Sequence, residues 1–132
     1  STLTDFTAPV SFPAAMNAPN DPVTGVSTFI GAKTFETGAY DPLSCAVACQ
    51  AQTAYNKAHP AEGATTYMPC NFFNAYLVTK NGAPQGTYCN LYTRTWDASY
   101  ATNKGQARGG DVYTNSESFG YSLATPDSGV LS

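Results

Sequence analysis

The chain has 132 residues, six Lys plus Arg against nine Asp plus Glu, and a net charge of −3, which is one domain's worth of sequence. Charged residues make up 11% and aromatics 13%, so there is no basic footprint for nucleic acid or for an anionic membrane surface. No stretch approaches the roughly 20 apolar residues that a membrane-crossing helix needs.

Residues 1–26 carry Pro9, Pro13, Pro19 and Pro22 among short polar residues, a density that denies long helix and central strand. They predict a Pro-rich N-terminal arm that wraps the domain or links it to a neighbour. The folded domain is expected over 27–123, with 124–132 as a C-terminal tail. "VSTFIGAKTFETGAY", from Val26 to Tyr40, mixes β-branched and aromatic residues with breaks at Gly31 and Gly38; it predicts one or two strands.

"YDPLSCAVACQAQTAYNKAH" is the best helix of the chain. Asp41 is placed to cap it, and Pro42 suits the first helical position, where a missing N–H costs nothing. "HPAEGATT" ends it, with His59 held out of the helix by Pro60. "YMPCNFFNAYLVTKNGAPQGTYCNLYT" then predicts two strands around Asn81-Gly82, a pair that tolerates the positive φ of a type I′ turn. Alternation places Phe73, Ala75 and Leu77 on one face and Phe72, Asn74, Tyr76 and Val78 on the other. The last third predicts a loop followed by one or two strands, around Asp111–Thr114 and Phe119–Leu123. "ARGGD", Ala107 to Asp111, fits a turn between strands.

Four cysteines in a low-charge chain point to a disulfide-permissive, extracellular compartment. The chain opens at Ser1 with neither Met nor an apolar leader, as expected of a processed mature protein or a piece of a longer one. Cys45 and Cys49 are the one short metal-type clip, and a zinc site wants two; no metal or cofactor is expected. Their spacing is also wrong for a redox C-x-x-C pair. Nor should they bond to each other, because helical Cβ atoms four residues apart lie about 5–6 Å from one another and a disulfide wants about 3.8 Å. Each should instead reach a sheet. If the chain reverses at Asn81-Gly82, Cys89 falls opposite about Asn74, on the same ladder face as Cys70. Two bonds can then pin helix to sheet, most simply as Cys45–Cys89 and Cys49–Cys70, with the crossed order left open.

A helix bearing C-x3-C, a strand beginning "CNFFNAY" and a hairpin returning on "CNLY" resemble a PAN/apple-type domain. More narrowly, "AYDPLSCAVACQAQTAYN", "CNFFNAYLV", "YCNLYTRTWDASYATNKGQARGGDVY" and "SFGYS" are similar to PAN-like modules of filamentous-fungal secreted proteins, over roughly Phe29 to Ser122. The resemblance implies an α+β fold, one helix on a curved, mostly antiparallel sheet pinned by two helix-to-sheet disulfides. It also implies an extracellular, non-catalytic module that binds protein or carbohydrate. One departure is the long stretch between Cys49 and Cys70, whose "NKAHPAEGATT" excursion is either a lineage-specific feature or the binding edge.

Catalytic candidates are few. His59 lacks a nucleophile motif around it, and a glycosidase would need two facing carboxylates, for which Asp97, Asp111 and Glu117 are the acids nearest the aromatic C-terminal segment. That segment carries the binding chemistry: aromatic planes stack on the C–H faces of sugars while Asn, Asp and Arg bond their hydroxyls. Trp96, Asp97, Tyr100, Asn103, Gln106 and Arg108 are the candidate ligand-binding residues, with Tyr113 and Tyr121 nearby. Against this, a single Trp in a small domain is usually buried in its core. The expectation is a secreted or cell-wall-associated module for glycan or polysaccharide. An extracellular protein partner or a structural surface role is the alternative, and a small glycan-active enzyme is the third reading.

Overall fold

Helix α1 spans Pro42–Ala58 in the computed structural model, which describes residues 3–36 and 39–131. Gly38, expected above as a break, lies outside these residues, as do Ser1 and Thr2 of the arm and Ser132 of the tail. The Asp41 carboxylate accepts the Leu43 N–H at 3.0 Å, satisfying one of the orphan donors at the helix start, and Pro42 follows it. At the other end the His59 N–H and ring Nδ1 both turn back to the Tyr55 carbonyl, at 3.0 and 2.9 Å. Only Cys45, Ala46 and Cys49 of the helix are buried, so its hold on the domain runs along one narrow stripe.

The strands are β1 (Val10–Phe12), β2 (Phe29–Phe35), β3 (Phe72–Lys80), β4 (Ala83–Tyr92), β5 (Gly105–Arg108) and β6 (Asp111–Ser122). They form one sheet in the order β1-β6-β3-β4-β2, with β5 also on β6, and these pairings are all antiparallel. The protein is thus α+β, a helix on an antiparallel sheet. The β3–β4 turn falls at Asn81-Gly82, with φ of 52° and 83°, and the "ARGGD" stretch makes the equivalent two-residue turn between β5 and β6.

Alternation sorts β3 as its sequence predicts. Phe73 and Ala75 face α1 with Leu91 and Tyr121, joined by Phe6 and all four cysteines. Phe72 faces the other way, into a second core with Phe12, Met16, Tyr92, Trp96 and Ala101. Tyr76 and Val78 continue that face into a third cluster with Ala15. The sheet therefore has the helix on one side, and on the other a cover made by the N-terminal segment and the loop after β4.

The disulfides are Cys45–Cys89 and Cys49–Cys70, the nested pairing. The register that suggested it is off by one residue. Cys89 lies opposite Ala75, because the ladder shifts between Val78 and Thr79, where Gln85 is left over as an extra residue. The bulge sets Gly86 at φ 124°, where a Cβ would fall 2.2 Å from the Phe35 carbonyl oxygen. It moves Cys89 to the helix-facing side with Thr87 and Leu91. Cys70 escapes strand parity altogether, since it precedes Phe72, the first residue of β3. Its N–H is held by Thr53 Oγ1 of the helix at 2.7 Å. The pairing holds because α1 packs across the central strands β3 and β4, bringing Cys45 to Cys89 and Cys49 to the start of β3, not because both cysteines share a ladder face.

The segments outside the helix and the central hairpin are tied to the sheet as well. β6 is one strand of 12 residues running through both stretches where one or two strands were expected, kept continuous across an irregularity at Glu117, whose φ is 47°. β5 occupies part of the expected loop. The Pro-rich N-terminal segment, expected to wrap the domain or to link it to a neighbour, lies against the sheet: β1 pairs with β6, and the Met16 N–H donates to Asn74 Oδ1 at 2.8 Å. The expected tail is tied down as well, with the Asp127 carboxylate accepting from Tyr67 Oη at 2.7 and 2.8 Å and the Asp127 N–H donating to Asn71 Oδ1 at 2.7 Å.

Candidate functional site

The six residues expected to bind ligand fall into two groups. Trp96, Asp97 and Tyr100 surround the short 3-10 turn Ala98–Tyr100. Trp96 is 1% exposed. Its indole N–H donates to Thr28 Oγ1 at 2.9 Å, Tyr100 meets it edge-on at 4.8 Å, and the Arg94 guanidinium lies 4.0 Å from its ring centroid. Ring, edge and N–H are all used by the fold, so Trp96 presents no open plane and is core. Asp97 caps the turn through the N–H and hydroxyl of Ser99, and these bonds hold its carboxyl below the usual aspartate value.

Asn103, Gln106 and Arg108 form the second group, and here the surface is concave. A groove of 180 Å³ runs between β5, β6 and the face of β3 and β4 that carries Tyr76, Val78 and Tyr88. Buried Tyr76 and Val78 make its floor, and half-buried Tyr88 and Tyr113 stand at its sides. Tyr76 and Tyr88 are 5.8 Å apart between ring centroids at 39°, so neither ring is closed off by face-to-face stacking on the other. Across the groove, pairing of Gln106 with Tyr113 and of Arg108 with Asp111 aligns those side chains on one face of the β5–β6 hairpin. Asn103 Oδ1 accepts the Gly105 N–H at 3.2 Å, and Asn115 Nδ2 donates to the Asn103 carbonyl at 3.0 Å. The other end of each amide, Asn103 Nδ2 and Asn115 Oδ1, has no protein partner among the described residues.

Tyr76, Tyr88 and Asn115 were absent from the sequence-based set. Their signal was available: Tyr76 and Val78 alternate onto the face opposite α1, and nothing in the sequence obliged that face to be covered along its whole length. What could not be read was which part the N-terminal segment covers.

A larger cleft of 640 Å³ lies between β2, the end of α1 and the 59–68 excursion, lined by Phe29, His59, Ala64, Tyr67 and Met68 among others. Its polar groups are largely spent within the protein. Gln52 donates to Asn56 at 2.9 Å, Asn56 to the Met68 carbonyl at 2.9 Å, and His59 stacks on Tyr55 at 4.2 Å. Phe29 and Met68, 45% and 41% exposed, leave an apolar surface with little to orient a sugar. Two of the three acids expected for a hydrolytic reading have local partners, Asp111 pairing with Lys80 at 3.7 Å and Asn81 at 3.0 Å and Asp97 capping its turn, while Glu117 sits at the β6 irregularity, where its backbone carbonyl accepts from Tyr40 Oη.

Among the described residues no helix is long and apolar enough to cross a membrane, and no cysteine is free. In comparisons with known proteins, no family model, no curated protein and no solved structure matched the chain significantly.

Proposed function

We propose that this chain is a secreted, non-catalytic binding module for glycan or cell-wall polysaccharide, with the tyrosine groove as its site. One observation carries the reading: the part of the sheet face left uncovered by the N-terminal segment presents tyrosine rings beside amide groups with unspent hydrogen-bonding ends. A sugar ring needs both, an apolar plane for its C–H face and fixed donors and acceptors for its hydroxyls. Asn103, Gln106 and Arg108 keep their expected role in this reading, while Trp96 and Tyr100 support the loop that carries them. The two helix-to-sheet disulfides support an extracellular setting. With the single helix on an antiparallel sheet, they also support the PAN/apple-like kinship, of the filamentous-fungal type, that the sequence suggests.

Pull-down on insoluble chitin, β-glucan and cellulose, with a soluble glycan array, tests the function. Retention that is lost in Tyr88→Ala and Tyr113→Ala, with melting temperatures unchanged, is the expected result; blank binding across the panel overturns it. The second reading, a protein partner, is favoured by the apolar surface of Val26, Phe29 and Met68, exposed by 61%, 45% and 41%. Recovery of a cross-linked extracellular partner that Phe29→Ser releases would establish that reading.

A further inference from the structure

We propose that the tyrosine groove takes an acidic glycan, with Arg108 reading the carboxylate of a uronic-acid residue; this rests on the glycan reading above and narrows it. Arg108 is the cation of the groove wall with no carboxylate partner among the described residues, the ion pairs there being Lys80–Asp111 and Arg94–Asp21. It is nevertheless held in place. The Gln106 amide, oriented to satisfy both groups, puts its oxygen against Arg108 Nε at 2.9 Å and against Nη2, and the guanidinium lies 5.8 Å from the Tyr113 ring centroid. A guanidinium has five N–H donors. Gln106 takes two, leaving the Nη1/Nη2 end, the edge that receives a carboxylate in end-on, two-bond geometry. A side chain so positioned loses less freedom on binding than a mobile Lys would.

The surroundings agree in sign. Three of the six Lys plus Arg of this acidic chain are Lys80, Lys104 and Arg108. Lys80 Nζ lies 5.9 Å from the centroid of the Tyr113 ring that Arg108 also faces, and Lys104 lies between the groove residues Asn103 and Gly105 in sequence. Asp111, which pairs with Arg108 across the β5–β6 ladder, is turned to Lys80 and Asn81. The groove therefore offers tyrosine planes for the sugar ring and one preset guanidinium for an anion carried on that ring.

The test compares binding of the intact chain to polygalacturonate, the same polymer fully methyl-esterified, a sulfated polysaccharide and neutral β-glucan, at low and high salt. The acid form is expected to bind about ten-fold tighter than its ester, the size of a lost charge-assisted pair, with the advantage shrinking as salt rises. Arg108→Gln should erase that difference, weakening the acid form about ten-fold more than the ester, while leaving the melting temperature unchanged. Arg108→Lys should restore only part of it, and Lys33→Gln, on the far edge strand, should change nothing. Equal binding of acid and ester, or an unaffected R108Q variant, overturns the uronate assignment and leaves the glycan reading standing. Equal or tighter binding of the sulfated polymer overturns the carboxylate as the group read. Binding to none of the four polymers overturns both.

Discussion

Asn74, at the centre of β3 and fully buried, accepts the Met16 N–H through Oδ1 at 2.8 Å and donates through Nδ2 to Ser118 Oγ at 2.8 Å and the Phe119 carbonyl at 3.1 Å. One amide thus joins β3, β6 and the N-terminal segment 58 residues away in sequence. A buried polar side chain is tolerated when its groups are paired, and removing it strands the partners without water. Asn74→Ala should cost roughly 2–4 kcal/mol, the sum expected for stranded buried partners and a small cavity. It should also loosen the segment it holds. Thermal unfolding would show the loss, and limited proteolysis should cut first near residues 17–26 in the variant.

The two disulfides close nested loops, with sequence separations of 44 and 21. Because the inner loop already shortens the outer one, chain entropy predicts that either double Cys→Ala change costs about 3 kcal/mol, slightly more for the Cys45–Cys89 pair. The outer bond also carries the contact between α1 and β4, so its loss should free the start of the helix. Chemical denaturation of the two double variants, with hydrogen exchange across residues 42–58, measures both effects. A cost near zero for the outer pair would contradict the nested-loop account.

The nested pairing shows how sequence and structure part company. Alternation in β3, the capped helix and the Asn81-Gly82 turn are local properties, governed by residues within a few positions of one another, and all are present as expected. The β4 bulge is set by where Gly86 passes the Phe35 carbonyl, a contact between strands far apart in sequence, so it shifted the Cys89 register without leaving a local mark. The same holds for the site. Asn103, Gln106 and Arg108 were identifiable by type, but Trp96 was withdrawn into the core by Thr28 and Arg94. Tyr76 and Tyr88 took its place because coverage of that sheet face stops at Ala15.

Alkali should unfold the protein through its tyrosines. Burial pushes the Tyr40, Tyr76 and Tyr92 hydroxyls upward, and a hydrogen bond to Asp127 pushes up Tyr67. Tyr40 Oη also donates to the Ala75 and Glu117 carbonyls at 3.1 and 2.6 Å, bonds that exist only while it is protonated. A group whose folded pKa exceeds its unfolded value contributes stability that is complete below the unfolded value, near 10, and is lost as pH rises toward the folded one. Stability should therefore be flat through neutral pH and fall above pH about 10. Ultraviolet titration of the nine tyrosines should show an early exposed set, then a steep late set that coincides with loss of β-sheet circular dichroism. Smooth titration of all nine near their unfolded value, with the fold intact, would contradict this.

Trp96 separates the fold from the proposed site. Its ring is enclosed by Tyr100 and Arg94 and anchored on Thr28, and it is not among the residues that line the groove. Trp96→Phe removes a ring and a buried hydrogen bond, a loss of roughly 2–3 kcal/mol, and leaves Thr28 Oγ1 without that donor. The melting temperature should fall by several degrees while glycan binding below the transition stays within two-fold, about 0.4 kcal/mol, of the parent. Trp96 emission in the parent should be blue-shifted, move to the red on unfolding, and respond little to saturating ligand. Tyr88→Ala should do the reverse, sparing stability and removing binding. Quenching or a shift of Trp96 emission on ligand addition, or loss of binding in the folded Trp96→Phe variant, would return the site to the Trp96 turn and take it away from the tyrosine groove.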